Sequence, residues 1–363
     1  MTRTKKLLIT TLIMAAAIVI ILAVCMTLRI PPFQGTPTLT LKGSDTVNIT
    51  FGGSYKEPGY TAKTAGGKDI TRSVKVSRDQ ALDQKTLEKP GKYEITYEVS
   101  YQGRSATAKR TINVRYAKPD PSSSSYGHGI AIVTYQNVYN EDNPPQNVNS
   151  ASISTTRLEA HLRYLVDNGY YFPSWKELRD YIDGKIELPE KSVVLTFDNV
   201  SDSFFENAVP LLEKYDVRAT AFIVCKGQSD VIKKYGNLKH VRLESNSYDL
   251  HRGGGSIGHG GIFTALSQEE GLSDLKKSID MLGSRDAFAY PYGDYNETCE
   301  KAAKEAGFRC AVTTKSGKAA PGDDPYALPR IRTYDGMNST SFAAAIAPEG
   351  TDIYKTKRSD VNL

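Results

Sequence analysis

The chain reads as an exported α/β protein: a parallel β/α domain carried behind a small all-β module and an N-terminal membrane helix. Three observations predict this. From residue 128 onward, apolar strand-like runs alternate with helical patterns, the signature of a parallel sheet with helical crossovers. Between residues 38 and 116, short alternating strands are punctuated by Gly and Pro turns. Leu7 to Leu28 carries no charge and is long enough to cross a bilayer as a helix.

At the N-terminus, Arg3, Lys5 and Lys6 precede the apolar run. That order predicts residues 1–6 in the cytoplasm, residues 7–28 as an uncleaved signal anchor, and everything after them outside the cell. A cleaved leader fits less well, because the apolar core is long and no small-x-small site follows it. Lipidation of Cys25 is disfavoured by the bulk of Val24 just before it. Residues 29–37, with Pro31, Pro32, Gly35 and Pro37, read as a stalk.

In the all-β segment, 38–116, the expected strands are Thr38–Leu41, Val47–Phe51, Val74–Ser77, Tyr93–Ser100 and Ala106–Val114. Gly52-Gly53, Gly66-Gly67 and Pro90-Gly91 mark turns, so a small β-sandwich is predicted. Tyr55 to Tyr60 and Gly91-Lys92-Tyr93-Glu94-Ile95-Thr96-Tyr97 resemble the bacterial Ig-like modules of surface proteins. The resemblance implies a spacer, or a binder of glycan or protein. Residues 117–127, with Pro119, Pro121 and a run of serines, read as a linker.

Net charge is +5, compatible with anionic wall polymers. No cluster of Lys and Arg argues for nucleic acid. Outside the apolar run, Cys225, Cys299 and Cys310 cannot all pair within one chain. No C-x-x-C spacing offers a thiolate zinc site. Cys225 and Cys310 sit in strand-like runs and read as small buried hydrophobes.

For the β/α domain, the expected strands are Ile130–Tyr135, Val193–Phe197, Ala219–Cys225, Val241–Glu244, Ala287–Tyr290 and Cys310–Thr313. Helices are expected over Arg157–Val166, Trp175–Ile182 behind Ser174 as N-cap, Phe204–Lys214, Gln268–Leu282, and Tyr295–Ala306 ending at Gly307. Val193–Phe197 is continuously β-branched and apolar, as in a strand buried on both faces. It delivers Asp198 to the strand–loop junction, where α/β barrels place their chemistry.

Thr196-Phe197-Asp198-Asn199, followed by Ser245-Asn246-Ser247-Tyr248-Asp249-Leu250-His251, resembles the polysaccharide deacetylase family, the NodB-homology carbohydrate esterases. It is most similar to the branch acting on bacterial envelope and biofilm polysaccharides. The resemblance covers residues 128–346 and implies a distorted (β/α) barrel, leaving 347–363 as a tail. It implies that Asp198 is the general base and His251 a metal histidine. Ala289-Tyr290-Pro291-Tyr292-Gly293 looks like the family's Pro-Tyr-Gly motif, one wall of the groove, with the backbone N–H of Tyr292 as oxyanion donor. Tyr248, Tyr290 and Pro291 would then contact sugar. Tyr326-Ala327-Leu328-Pro329-Arg330-Ile331-Arg332 resembles the late Leu-Pro-Arg segment, from which Arg330 or Arg332 would steady the base by charge.

The chain also departs from the family pattern, Thr-Phe-Asp-Asp and Ser-His-(Ser/Thr)-Tyr-(Asp/Asn)-Leu-His. The second Asp and the two His of that pattern hold a divalent metal, usually zinc. Here Asn199 stands at the aspartate and Asn246 at the first histidine. Gln136, after Val133-Thr134-Tyr135, stands where the biofilm branch has its general-acid histidine. Zinc needs three N, S or carboxylate ligands and one open position, and an amide oxygen is a weak, neutral substitute. His259, Asp249 and Asp202 are the nearby candidates to complete a shell, whereas His128, His161 and His240 read as structural or exposed.

These substitutions predict a deacetylase-type groove that binds N-acetylated envelope polysaccharide without a metal and without turnover. One alternative is a working deacetylase that uses zinc or another divalent metal through replacement ligands, or attacks an O-acetyl ester with Asp198 as base. Another is a surface interaction protein whose active part is the Ig-like module.

Overall fold

The computed structural model describes residues 11, 13–20, 35–83, 89–123, 127–146 and 148–348. The chain divides into two compact units, Met1–Arg115 and Tyr116–Leu363. Most of the expected membrane span, the first part of the stalk and nearly all of the expected tail lie outside the described residues. Residues 13–20 are helical. No helix among the described residues is long and apolar enough to cross a membrane.

The first unit holds β1 (Thr38–Leu41), β2 (Thr46–Thr50), β3 (Tyr60–Lys63), β4 (Lys75–Arg78), β5 (Gly91–Tyr101) and β6 (Arg104–Arg115). β1 pairs antiparallel with β3, and the other four form a sheet in the order β2-β6-β5-β4. β5 and β6 make a long antiparallel hairpin, with β2 parallel to β6 on its far side. Inward positions of the hairpin alternate as the strand period requires: Ile95, Tyr97 and Val99 on β5, and Ile112 and Val114 on β6, are all buried.

Arg110 lies in that core, fully buried. Its Nη1 donates to Glu57 Oε1 at 2.6 Å and its Nη2 to the Lys42 carbonyl at 2.6 Å. The hydroxyls of Tyr55 and Tyr97 both donate to Glu57 Oε2, and the Gly59 N–H donates to Oε1 at 2.8 Å. A guanidinium taken out of water is tolerable only with such a partner.

The second unit is a closed barrel of seven parallel strands. They are β7 (Ala131–Tyr135), β10 (Val193–Phe197), β11 (Ala219–Ile223), β12 (Val241–Ser245), β13 (Ala287–Ala289), β14 (Cys310–Ser316) and β15 (Leu328–Arg332), and β15 returns to pair with β7. A short parallel ribbon, β8 (Asn137–Tyr139) with β9 (Ser152–Ser154), stands apart from the barrel sheet. β7, β10 and β11 are buried at every position, as their unbroken apolar runs require.

The helices are α1 (Thr155–Asp167), α2 (Trp175–Ile182), α3 (Val209–Lys214), α4 (Ser229–Tyr235), α5 (Gln268–Leu282), α6 (Glu297–Ala306) and α7 (Ser339–Ile346). Ser174 with Glu177, and Ser267 with Glu270, form capping boxes at the starts of α2 and α5. Gly307 closes α6 in the left-handed conformation. The helix expected over Phe204–Lys214 is in fact a π-helical turn, Phe204–Ala208, running into α3. Cys225, Cys299 and Cys310 are buried and unpaired. Within the stretch read as linker, the Ala117 carbonyl accepts the Glu187 N–H at 3.1 Å, so the chain is already on the barrel there.

Glu57→Ala strands the Arg110 charge and is expected to destabilise the Ig-like unit by about 3 kcal/mol in chemical denaturation. Burial by itself raises the Glu57 pKa, but hydrogen bonds from Tyr55, Tyr97 and Gly59 and the charge of Arg110 hold it below the usual 4.5. A carboxylate depressed in the folded state adds stability above its unfolded pKa and loses it as pH falls through the folded value. The unit's melting midpoint should therefore drop as pH is lowered below about 4.5, and Glu57→Gln should remove that part of the drop.

Candidate functional site

Because all seven strands run one way, their C-terminal ends share one face. Gln136, Asp198, Asn246 and Tyr290 each follow a strand there, after Tyr135, Phe197, Ser245 and Ala289. Register sets their heights: Phe197 lies opposite Tyr135, and Ser245 opposite Ile223 and Phe288. The Asp198 N–H donates to the Tyr135 carbonyl and the Asn246 N–H to the Ile223 carbonyl, each at 2.9 Å.

The centre of the face is a closed ion pair. Arg330 Nη1 donates to Asp198 Oδ1 and Nη2 to Oδ2, both at 2.7 Å. Arg330 is 2% exposed and Asp198 7%. Two parallel bonds of this kind combine charge with fixed geometry. Nη1 is steadied further by the Thr134 and Thr196 hydroxyls at 3.1 and 3.2 Å, and Nε donates to the Thr313 carbonyl at 2.8 Å. Thus β7, β10, β14 and β15 meet on one guanidinium. The arginine at Asp198 is Arg330. Arg332, two residues on at the strand's end, is exposed.

The loop after β12 is held from α5. Asp274 accepts the N–H groups of Tyr248 and Asp249 at 2.8 and 2.9 Å. Ser245 Oγ accepts the Ser247 N–H at 3.0 Å and also contacts Ser278 Oγ at 2.6 Å. Ser247, at φ 76°, takes the Leu250 N–H on its own hydroxyl at 2.9 Å. Within this brace Asn246 is buried, and its Oδ1 has no hydrogen-bond partner. The His251 ring lies 4.2 Å from the Tyr292 ring. Burial pushes the His251 imidazole pKa down, partly offset by the charge of Asp198. Asn199, at φ 53°, is exposed, and Gln136 is half-buried at the end of β7.

Tyr292 takes φ 61° in the Pro-Tyr-Gly turn, and Gly293 takes 77°. A Cβ on Gly293 would come within 2.3 Å of Thr314 Oγ1, so this turn requires glycine. Tyr290 departs from its expected role. It is 2% exposed, its hydroxyl donates to the Tyr326 carbonyl at 3.0 Å, and its ring stacks on Tyr295. That commits it to the core rather than to sugar. Pro291 is buried as well, whereas Tyr248 is half-buried.

The other metal candidates are engaged elsewhere. Asp249 pairs with Lys226 at 2.6 Å, and Asp202 is exposed. The His259 N–H donates to the Asp294 carboxylate at 2.8 and 2.9 Å, and its ring is 72% exposed. His161 is buried between Tyr135 and the Met337 carbonyl, and burial lowers its pKa to about 4. His240 is also buried, 3.5 Å from Asp216. Among the described residues, no group of three or more His, Cys, Asp or Glu is arranged to hold a metal ion. The donors at the face are one imidazole, neutral amides, and a carboxylate both of whose oxygens bind Arg330. That set does not fit zinc.

Neither the Arg330-binding threonines nor Asp274 is marked out by its place in the sequence. Asp274 looks there like any acidic residue on an exposed helix.

Residues 39–114 match the profile described as bacterial surface protein, Ig-like domain, and residues 185–311 match polysaccharide deacetylase. YxkH of Bacillus subtilis strain 168, which carries the polysaccharide deacetylase name, is 31% identical over 207 residues, 54% of this chain and 71% of its own length. This chain belongs to the polysaccharide deacetylase family. A second relative in the family, the poly-β-1,6-N-acetyl-D-glucosamine N-deacetylase of Staphylococcus aureus strain MSSA476, is 28% identical over 206 residues, covering 52% of this chain and 70% of that one. Two solved deacetylase-type structures share the fold. Streptococcus pyogenes PplD, in complex with acetate, has a TM-score of 0.53 at 24% identity, over 61% of this chain and 99% of that one. IcaB from Ammonifex degensii has a TM-score of 0.51 at 24% identity, over 61% and 98%.

Arg330→Met leaves Asp198 buried without its partner and is expected to cost about 3–5 kcal/mol in chemical denaturation. Arg332→Ala should stay within about 0.5 kcal/mol of the parent. Asp198→Asn combined with Arg330→Met should recover part of the loss, since no uncompensated charge remains.

Proposed function

We propose that this member of the family holds N-acetylglucosamine-containing envelope polysaccharide on the C-terminal face of its barrel and does not deacetylate it. The observation that carries the reading is the donor set: Asn199 and Asn246 at two metal-ligand positions of the family pattern, and Gln136 at the acid position.

Removing an acetyl group from a sugar nitrogen needs an activated nucleophile, donors for the oxyanion and an acid for the leaving amine. A positioned acid or base contributes about 10²- to 10⁴-fold, and a glutamine supplies none of this. Without three metal donors, no protein group present lowers the pKa of a bound water. What the chain keeps is the shape: the Pro-Tyr-Gly turn, the braced loop after β12 and the oriented Asp198. The glycan class is suggested by the Staphylococcus aureus relative, which is named for poly-β-1,6-N-acetylglucosamine.

Residues 7–28 tether the protein to the cell membrane with residues 1–6 in the cytoplasm, and residues 38–116 act as a spacer that carries the barrel outward. Support for this arrangement is the basic Arg3, Lys5 and Lys6 followed by an uncharged run of spanning length.

The retained Asp198–Arg330 pair favours one second reading, hydrolysis of an easier O-acetyl ester with Asp198 as base. An esterase assay on acetyl esters separates the two.

The purified full-length chain is expected to bind no stoichiometric zinc by elemental analysis. It should release no acetate from β-1,6-linked N-acetylglucosamine oligomers while still binding them. Acetate release that Asp198→Ala abolishes would contradict the reading. Combining Gln136→His, Asn199→Asp and Asn246→His should give a chain that takes up about one zinc and gains acetate release. Asp is tolerated at the positive φ of residue 199 nearly as well as Asn.

A further inference from the structure

Asn246 is 2% exposed, and its Oδ1 is a buried acceptor with no hydrogen-bond partner. Buried polar atoms are nearly always satisfied, so an orphan calls for an explanation. Among the described residues, the other side-chain atoms in this condition are Arg110 Nε and His128 Nδ1. Arg110 belongs to the Ig-like unit, and His128 precedes β7 at the opposite end of the barrel. Asn246 alone of the three lies on the face that carries Asp198.

The backbone around the orphan is fixed. The Asn246 N–H is tied to the Ile223 carbonyl at 2.9 Å, and the Ser247 N–H to Ser245 Oγ at 3.0 Å. Asp274 pins the next two N–H groups from α5. These bonds hold the backbone, and the side-chain carbonyl is left to a donor that arrives with a ligand.

The charge of the face decides what kind of donor. Asp198 is the carboxylate at its centre, and Arg330 binds both of its oxygens. A neutral N–H meets a neutral carbonyl at little electrostatic cost. An ammonium brought to the same place would lose its water and find no free counter-charge.

Resting on the glycan-binding reading above, we propose that Asn246 senses the acetylation state of the polymer. Its Oδ1 accepts the amide N–H of a 2-acetamido sugar, so the face retains N-acetylated chains and rejects those bearing free amines. In this chain, a position that supplies a metal ligand in the family pattern is a specificity determinant.

The test is calorimetry on the full-length chain at neutral pH, run in EDTA and repeated with calcium or magnesium in its place. Three β-1,6-linked pentasaccharides are compared: N-acetylglucosamine, glucosamine and glucose. The parent is expected to bind the first about tenfold or more tighter than the other two. Asn246→Ala should lose that preference. Asn246→Asp, of nearly the same volume, should turn it toward the glucosamine oligomer, and this holds as a readout even if the alanine variant fails to fold. Equal binding of the N-acetylglucosamine and glucose oligomers would overturn the proposal, because a hydroxyl would then satisfy the orphan. Binding that needs calcium or magnesium would also overturn it by making Asn246 a cation ligand. Preference unchanged in both variants overturns it too, with glycan binding intact. Failure of the parent to bind any of the three overturns the glycan-binding reading itself.

Discussion

The bidentate pair between Asp198 and Arg330 is the constraint on which the barrel's working face depends. Four of seven strands contribute to it: β10 brings the carboxylate, β15 the guanidinium, and β7 and β14 the threonine groups that hold the guanidinium in place. Two charges this deeply buried are tolerable only because every polar contact is made at once. The pair therefore reports on barrel closure, since β15 must return to β7 before Arg330 can reach Asp198. It also sets the chemistry. Asp198 is fixed in orientation by the two bonds from Arg330.

Around this pair, the substituted positions keep polar side chains on an intact frame. Asn199 keeps a side chain suited to positive φ, and Asn246 sits in a loop whose brace of Ser245, Ser247 and Asp274 is complete. Amides in place of carboxylate and imidazole retain polarity and volume but not metal affinity. Family membership thus gives the scaffold, and what the site does is argued from the donor set at the face. Restoring three side chains separates these two contributions, because the scaffold is already in place.

Much of this organisation was legible in the sequence, for physical reasons. Val193–Phe197 is buried on both faces, so its composition alone marks it as a strand. Ser174, Ser267 and Gly307 announce helix ends because capping chemistry is local. β15 carries a motif but no strand signal. Leu-Pro-Arg-Ile-Arg has no apolar run, and Pro329 lacks an N–H for the ladder, which shifts register between Val312 and Ser316. β3 has no sequence signal, because its four residues carry too little periodicity. The burial of Tyr290, and the choice of Arg330 over Arg332 at Asp198, depend on tertiary contacts that spacing does not encode. The orphaned carbonyl of Asn246 is invisible in sequence altogether, because it is defined by what fails to reach it.

The account rests on a face that offers a neutral hydrogen-bond acceptor where a cation would otherwise sit. The most direct measurement is a crystal structure of the chain soaked with zinc and a β-1,6-linked N-acetylglucosamine oligomer, with data collected at the zinc edge. The account predicts sugar on the face with an amide N–H on Asn246 Oδ1 and no anomalous peak beside His251. A zinc peak joining His251 and Asp198, with other donors completing its shell, would contradict it.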